Sequence, residues 1–344
     1  MKILITGGCG FVGSNLAIHL KKKGFKVSTL DNLFRLGSKL NLMRLKKYNI
    51  KNYNLDITKI NKLIKLPRFD FIIDSCAEPA VSKSLKSIVE AKRVFDTNLI
   101  GTFNILQKCK IDKSEIIFIS TSRVYSIKSL NLLTNNQKNI NKEIKIKKTI
   151  DVNYDSSSPK SLYGFTKLAS EELIKEYFYS DNIKYIINRC GVVAGPWQFG
   201  KVDQGFMSLW VWRYINNLKI KYIGFGGNGH QVRDVIHIDD LSELITKQIK
   251  NFKRIYNKTF SVGGGLNNKI SLRDLSLILD KLTNSNIQKE KIKETSIYDI
   301  PYFVASNSEV SKLYNWLPKK NIKKVVLDIL NWQKKNKNIL KKYF

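Results

Sequence analysis

The chain has 344 residues, 43% of them hydrophobic and 26% charged, with only 6 prolines, a composition that supports one large domain or two closely joined ones around an apolar core. No apolar run approaches the ~18 residues needed to cross a bilayer, and with a glycine-rich turn already at Gly7 no leader is expected to precede the fold. The formal net charge of +32 comes from 50 Lys but only 10 Arg, spread along the whole chain, which argues against nucleic acid or membrane insertion because phosphate and base recognition favours clustered Arg forks.

Residues 2–5 form a continuous apolar run, followed by a glycine turn and a helical pattern over 11–22. A second strand is predicted over 26–30, ending at Asp31, and further strands at 69–74, 116–120 and 185–188. Helical patterns at 87–108 and 161–179 separate them. Strand and helix in alternation imply parallel strands with right-handed crossovers, so the fold class is α/β with a doubly wound parallel sheet of the Rossmann kind. The Lys- and Asn-rich stretch 127–155 has weak periodicity and is expected to be a long loop near the site, and 287–298 a polar connector. Beyond Arg189 the chain mixes loops, an aromatic helix over 206–216 and a second Gly-rich stretch. This predicts a division into a Rossmann domain at 1–188, with a return segment near 233–262, and a smaller C-terminal substrate-binding domain at 189–232 and 263–344. The basic amphipathic helix over 322–340 carries Val325, Val326, Ile329 and Leu330 on one face and is expected to pack against the body of the protein.

The first glycine turn reads Thr6-Gly7-Gly8-Cys9-Gly10-Phe11-Val12-Gly13. Gly7, Gly10 and Gly13 permit a tight turn, bring backbone N–H groups of Gly10, Phe11 and Val12 to a pyrophosphate, and let the helix lie close to the strand. Asp31, 18 residues beyond Gly13 at the end of the second strand, is placed to accept both hydroxyls of an adenosine ribose and to repel a 2′-phosphate, which selects NAD as the cofactor. Asp56 and Ile57 follow the third strand where adenine is expected, although an aspartate there also suits a turn. Asn32, Ala77 and Asn98 complete the expected cofactor contacts.

The four cysteines (Cys9, Cys76, Cys109 and Cys190) are scattered without a CxxC pair, and there are only three histidines, so neither a zinc cage nor a disulfide framework is expected. Reduced thiols and a cytoplasmic location follow. Cys9 has no neighbouring cation in sequence to lower its pKa and is expected to be a packed residue.

Tyr163 and Lys167 stand four apart in Tyr-Gly-Phe-Thr-Lys at the start of a predicted helix, hence on one face. An ammonium there, together with a cationic nicotinamide ring, is expected to lower the phenol pKa and make Tyr163 a base for a sugar hydroxyl, with Lys167 also contacting the cofactor. Such a pair is frequent by chance, and it gains weight from Ser120-Thr121-Ser122-Arg123-Val124-Tyr125 at the end of a buried strand, where Thr121 or Ser122 is positioned to donate to the reacting oxygen. These elements together resemble the extended short-chain dehydrogenase/reductase family, the NAD-dependent epimerases and dehydratases, over essentially the whole chain. The family's catalytic Ser/Thr, Tyr and Lys match Thr121, Tyr163 and Lys167, and the resemblance extends to Asn98 in Asn-Leu-Ile-Gly-Thr and to the stretch 227–240. It implies transient oxidation of a nucleotide-linked sugar, and a homodimer formed through the helices at 87–108 and 161–179. Relatives that eliminate water carry Asp-Glu after the catalytic threonine, whereas this chain has Ser122 and Arg123, which points away from a dehydratase.

The segment Gly195-Pro196-Trp197-Gln198-Phe199-Gly200-Lys201-Val202-Asp203-Gln204-Gly205-Phe206 resembles the substrate loop of CDP-paratose (CDP-tyvelose) 2-epimerases. Gln198, Asp203 and Gln204 offer amide and carboxylate partners to a sugar or to cytosine, which favours a CDP-sugar. Arg233 is expected to clamp the diphosphate, its bland alternative being an ion pair with Asp234 or Asp239. The chain departs from the family pattern at Ala194 (usually Tyr), Ser126 (usually Gly), Ser296 (commonly Arg) and Pro301 (Arg in 2-epimerases), leaving the redox centre untouched. A UDP-hexose 4-epimerase is the alternative enzyme, and a nucleic-acid-binding scaffold with a vestigial Rossmann fold is the alternative from another class.

Overall fold

The structure, a computed structural model, describes residues 1–79, 81, 87–201 and 204–344. Strand β1 (Lys2–Thr6) leads into α1 (Phe11–Lys22), β2 (Lys26–Leu30), α2 (Ser38–Lys47), β3 (Lys51–Tyr53), α3 (Ile60–Leu63) and β4 (Phe71–Asp74). Next, α4 (Ile88–Phe95), α5 (Gly101–Asp112), β5 (Glu115–Thr121), α6 (Ile127–Leu132), α7 (Leu162–Asp181) and β6 (Tyr185–Cys190) complete the first half. Then come β7 (Val192–Ala194), α8 (Phe206–Ile215), β8 (Ile220–Ile223), β9 (Val232–His237), α9 (Ile238–Asn251) and β10 (Lys258–Val262). The chain closes with β11 (Lys269–Ser271), α10 (Leu272–Thr283), β12 (Lys289–Ile292), β13 (Tyr302–Phe303), α11 (Ser308–Tyr314), α12 (Ile322–Lys335) and α13 (Lys337–Leu340).

Seven strands form one parallel sheet in the order β10-β6-β5-β4-β1-β2-β3. Its strands are buried on both faces, and the residues alternate accordingly. Ile3 and Ile5 of β1 face the core beneath α1 and α9, with Leu16, Leu20, Leu241 and Ile245, whereas Leu4 faces the core beneath α5 and α7, with Ile105 and Ile174. The chain leaves β1 toward β2 and β3 on one side and returns at β4 to build the other, so the strand order reverses between β1 and β4. Ligands of open parallel sheets bind beyond the carboxyl ends of the strands at such a reversal. Thr6 and Asp74 end these two strands side by side, and Thr6 Oγ1 donates to Asp74 Oδ1 at 2.5 Å.

Of the segment 233–262, α9 and β10 serve the large sheet, while β9 pairs with β7, β11 and β13 in a four-stranded sheet. The apolar face of α12 is buried as expected, with Val325, Val326, Ile329 and Leu330 packed on α8 and α10 residues such as Val211 and Leu275. Three local expectations differ. The helix predicted over 87–108 is interrupted by a π-helical turn at Asp96–Ile100, where Gly101 follows because a Cβ there would lie 2.3 Å from Ile57 Cδ1. The stretch 127–155 opens with the short helix α6 and only then runs as the expected long loop, along which Ile140, Ile144 and Ile150 are buried. The connector 287–298 contains β12, which pairs in parallel with β8 through backbone bonds that its Lys-Glu-Lys-Ile sequence does not advertise.

Candidate active site

The glycine turn is required by packing. Gly7 has φ +60°, and a Cβ on Gly13 would lie 2.3 Å from the Gly7 carbonyl oxygen, so α1 rests directly on the turn. The first turn of α1 has no acidic residue, and Gly10 provides no side-chain cap, which leaves its N–H donors and the positive end of the helix to the cleft above. Gly7, Gly10, Phe11, Val12 and Gly13 all line that cleft, whose volume is ≈ 1180 Å³, above the ordinary range for one small ligand.

Asp31 is fixed at the end of β2 by two backbone donors: Cys9 N to Oδ2 at 3.0 Å and Leu33 N to Oδ1 at 2.8 Å. Burial pushes its carboxyl above the ordinary range, against the pull of those two N–H groups and of Arg35. One lone pair on each oxygen remains for a ribose diol. Asn32 donates to Asp56 Oδ2 at 2.7 Å, and both line the cleft beside Ile57 and Ala77. A helix N-terminus for a pyrophosphate, an acceptor pair for a diol and a long shared cleft fit a dinucleotide. Asn98 is not in the cleft wall. It is buried in the π turn, accepting from Glu78 N at 2.8 Å and donating to Glu78 O at 3.2 Å and Thr166 Oγ1 at 3.1 Å, so it braces the wall from behind.

Thr121 ends β5, and Tyr163 opens α7, where the N-cap Ser161 accepts from Gly164 N at 3.1 Å. Both line the cleft, and of the two hydroxyls that the sequence left open, Thr121 is the one close enough to the phenol to pull its pKa down. Burial holds the Tyr163 phenol above its ordinary value, opposed by the Thr121 hydrogen bond and by the charges of Arg123 and Arg35. Lys167 lies one turn behind Tyr163, fully buried outside the cleft wall, with Nζ 3.7 Å from the centre of the Phe118 ring. Burial pushes its ammonium down to about 8, while Asp74 and Glu171 oppose that shift.

On the other wall, Gln198 is nearly buried, donating to Val193 O at 3.1 Å while its Oε1 has no partner. Gln204 accepts from Arg35 Nη2 at 2.9 Å, linking this loop to the cofactor side. Asp203 lies outside the described residues. Arg233 also faces the cleft, but it pairs with neither Asp234 nor Asp239. Its Nη2 reaches Asp299 Oδ1 at 3.0 Å and Ile300 O at 2.6 Å, and its Nη1 reaches Val232 O at 2.8 Å. Asp234 is fully buried and accepts from Gly265 N, while Asp239 pairs with Lys320.

All four cysteines are free thiols, and burial pushes each of them up, Cys190 to about 12, so none is poised as a nucleophile. Among the described residues no cluster of His, Cys, Asp or Glu could hold a metal, and no helix is long and apolar enough to cross a membrane. Arg35, Glu78, Arg123 and Tyr298 line the cleft without having been anticipated as site residues. Arg123 alone carried a signal, its place two residues after Thr121.

A parallel sheet in this order, with a glycine turn and a Thr-Tyr pair at its carboxyl edge, defines a Rossmann-fold oxidoreductase. The profile of the NAD dependent epimerase/dehydratase family matches residues 3–263. The chain belongs to this family, and NAD is its cofactor. It is 29% identical over 341 residues to a CDP-paratose 2-epimerase of Salmonella typhi, covering 96% of this chain and 99% of the relative. It is 28% identical to a UDP-glucuronate 4-epimerase of Thermodesulfobacterium geofontis, covering 98% of each. Among solved structures, UDP-glucuronic acid 4-epimerase from Bacillus cereus, in complex with UDP-glucuronic acid and NAD, superposes with a TM-score of 0.80 at 25% identity, covering 97% of this chain and 99% of that one.

Proposed function

We propose that the chain is a nucleotide-sugar epimerase of the CDP-paratose 2-epimerase type, in which a sugar hydroxyl is oxidised to a ketone and re-reduced on the opposite face. The observation that carries this reading is the Thr121–Tyr163 pair within one cleft shared by the first turn of α1 and the loop of Gln198. Gly10, Phe11, Val12 and Gly13 line the helix end that would hold the pyrophosphate of NAD, and Asp31 would accept its ribose hydroxyls; the bound cofactor would supply the hydride acceptor and donor. Tyr163 removes the hydroxyl proton and gives it back, and Thr121 steadies the phenolate and the reacting oxygen by hydrogen bonding. Lys167 contributes from behind as a buried cation that is balanced by Asp74 and Glu171. Arg233 grips the substrate diphosphate. The unpaired Oε1 of Gln198 complements a donor, as a sugar hydroxyl or the cytosine amino group provides. No carboxylic acid follows Thr121, so the scheme contains no elimination step.

The active unit in this reading is a homodimer. Ile88 and Val89 at the start of α4, Phe103 on α5, and Phe165 and Tyr179 on α7 are exposed large apolar side chains, and two copies of these helices would cover them. Incubation of the purified chain with CDP-paratose and, separately, with UDP-glucose tests the function. Conversion of CDP-paratose alone is expected, and conversion of only the UDP-sugar replaces the reading with a UDP-hexose 4-epimerase.

A further inference from the structure

Arg123 is fixed on three sides. Its N–H donates to Thr121 Oγ1 at 3.2 Å, and its Nη1 donates to Tyr298 O at 2.9 Å. Its carbonyl lies against Gly164, the residue after Tyr163, where a Cβ would come within 2.1 Å of the Arg123 oxygen. The backbone of Arg123 is thereby pinned to the helix that carries the phenol, and its guanidinium to the segment around Tyr298. The same segment anchors Arg233, through Asp299 Oδ1 and Ile300 O. Arg123 and Arg233 both line the cleft that Tyr163 lines. Among the described residues one carboxylate, Asp299, is ion-paired with Arg233, the buried Asp234 acts on it without pairing, and none is ion-paired with Arg123.

Two forks against one paired carboxylate leave a positive surplus facing the cleft, which suits the oxygens of a phosphate. We propose that Arg123 is a substrate-binding residue that, with Arg233, holds the sugar-proximal phosphate of a nucleoside diphosphate sugar and thereby presents to Tyr163 the carbon next to the anomeric one. The inference rests on the nucleotide-sugar reading above and adds to it. The carbon next to the anomeric one is joined to that phosphorus through only the anomeric carbon and an oxygen. A carbon across the ring lies a ring's width further away, and its chemistry would leave a cation beside the phenol without an anion to bind. Electrostatic coupling agrees with this arrangement. Burial pushes the Arg233 guanidinium down to about 10, opposed by Asp299, and the charge of Arg123 adds to the lowering, as it does for the Tyr163 phenol. The Arg123 guanidinium therefore lies within electrostatic reach of both groups.

Calorimetric binding of CDP, CMP, UDP and UMP to the NAD-loaded chain tests this, with Arg123→Gln and Arg123→Lys compared to the parent. Arg123→Gln is expected to weaken the diphosphate by ~10-fold or more and to leave the monophosphate within about 2-fold, the size of a lost charge-assisted hydrogen bond. Arg123→Lys, which keeps the charge and loses the fork, is expected to fall between. Retained NAD reports that each variant is folded. An unchanged diphosphate-to-monophosphate ratio in either folded variant overturns the proposal, as does an equal loss for both ligands. Should the parent prefer UDP to CDP, the cytidine reading fails, and the Arg123 comparison is made with UDP and UMP. NMR of the sugar product reads the position: inversion at a carbon other than that beside the anomeric centre overturns the geometric part.

Discussion

Arg189 grips Glu171 through Nε and Nη2, at 2.9 and 2.8 Å from Oε2, with both side chains buried and Glu171 one helical turn beyond Lys167. The Ser120 hydroxyl donates to the other oxygen of the same carboxylate. Arg189 belongs to β6, Ser120 precedes Thr121 on β5, and Glu171 shares α7 with Tyr163 and Lys167. This one pair therefore ties the three elements that position the reacting groups.

Breaking it leaves a buried charge unanswered. Glu171→Gln is expected to lower stability by roughly 3–5 kcal/mol, and Arg189→Met by a similar amount. The double variant should lose less than the sum, because neither charge is then stranded. Urea denaturation of the four proteins checks this, and additive losses would contradict it.

Tyr163→Phe is expected to retain NAD and to lose turnover by about 10²–10⁴-fold, the ordinary contribution of general acid–base catalysis. The phenol acts as a base only when deprotonated. Burial raises its pKa and the Thr121 hydrogen bond lowers it, so Thr121→Val should move the acidic limb of the pH–rate profile to higher pH. At a fixed pH below that limb, the variant is slower than its parent. An acidic limb that stays in place in Thr121→Val removes Thr121 from the phenol's environment.

Lys167 is held down to about 8 in the fold from an ordinary 10.5. The unfolded chain therefore binds the proton more tightly, and the destabilising contribution of this group is fully present below about 8 and disappears as the pH rises toward 10.5. Lys167→Met removes that component. The parent should gain on the order of 1–3 kcal/mol relative to Lys167→Met between the two ends of the window, read by denaturant titration at each pH.

Asp31→Ala is expected to weaken NAD by roughly 10–100-fold while leaving NADP, already repelled by the carboxylate, little changed or improved. Asp31→Asn controls for the two backbone N–H bonds that the carboxylate accepts. Equal losses for NAD and NADP in Asp31→Ala would assign Asp31 to the turn alone.

Ile88→Glu with Phe165→Glu should convert a dimer to a folded monomer, because Ile88 is 88% and Phe165 48% exposed in the single chain. Light scattering after size exclusion measures it. A parent that is monomeric at every concentration sinks the proposed interface.

Much of this was legible locally. The glycine spacing, Asp31 after β2 and the four-residue step from Tyr163 to Lys167 each lie within one strand–turn–helix unit, and the structure places them as that local geometry requires. Buried Ile140, Ile144 and Ile150 were missed because their burial depends on Phe225, Val232, Tyr302 and Phe303, which approach from distant parts of the chain. β12 was missed because a paired strand needs only a backbone partner, here β8, and not an apolar sequence.

The sequence by itself determined the doubly wound sheet and the dinucleotide turn and nominated the reacting phenol, since each is a short-range pattern of periodicity and spacing. Only the tertiary structure decided which charges face that phenol. Arg123 meets Tyr298 across 175 residues and Arg233 meets Asp299 across 66, whereas Lys167, so close to Tyr163 in sequence, is turned to Phe118 and the buried carboxylates. Helical spacing puts two side chains on one face, but the surrounding elements settle where each charge is solvated and what it acts upon.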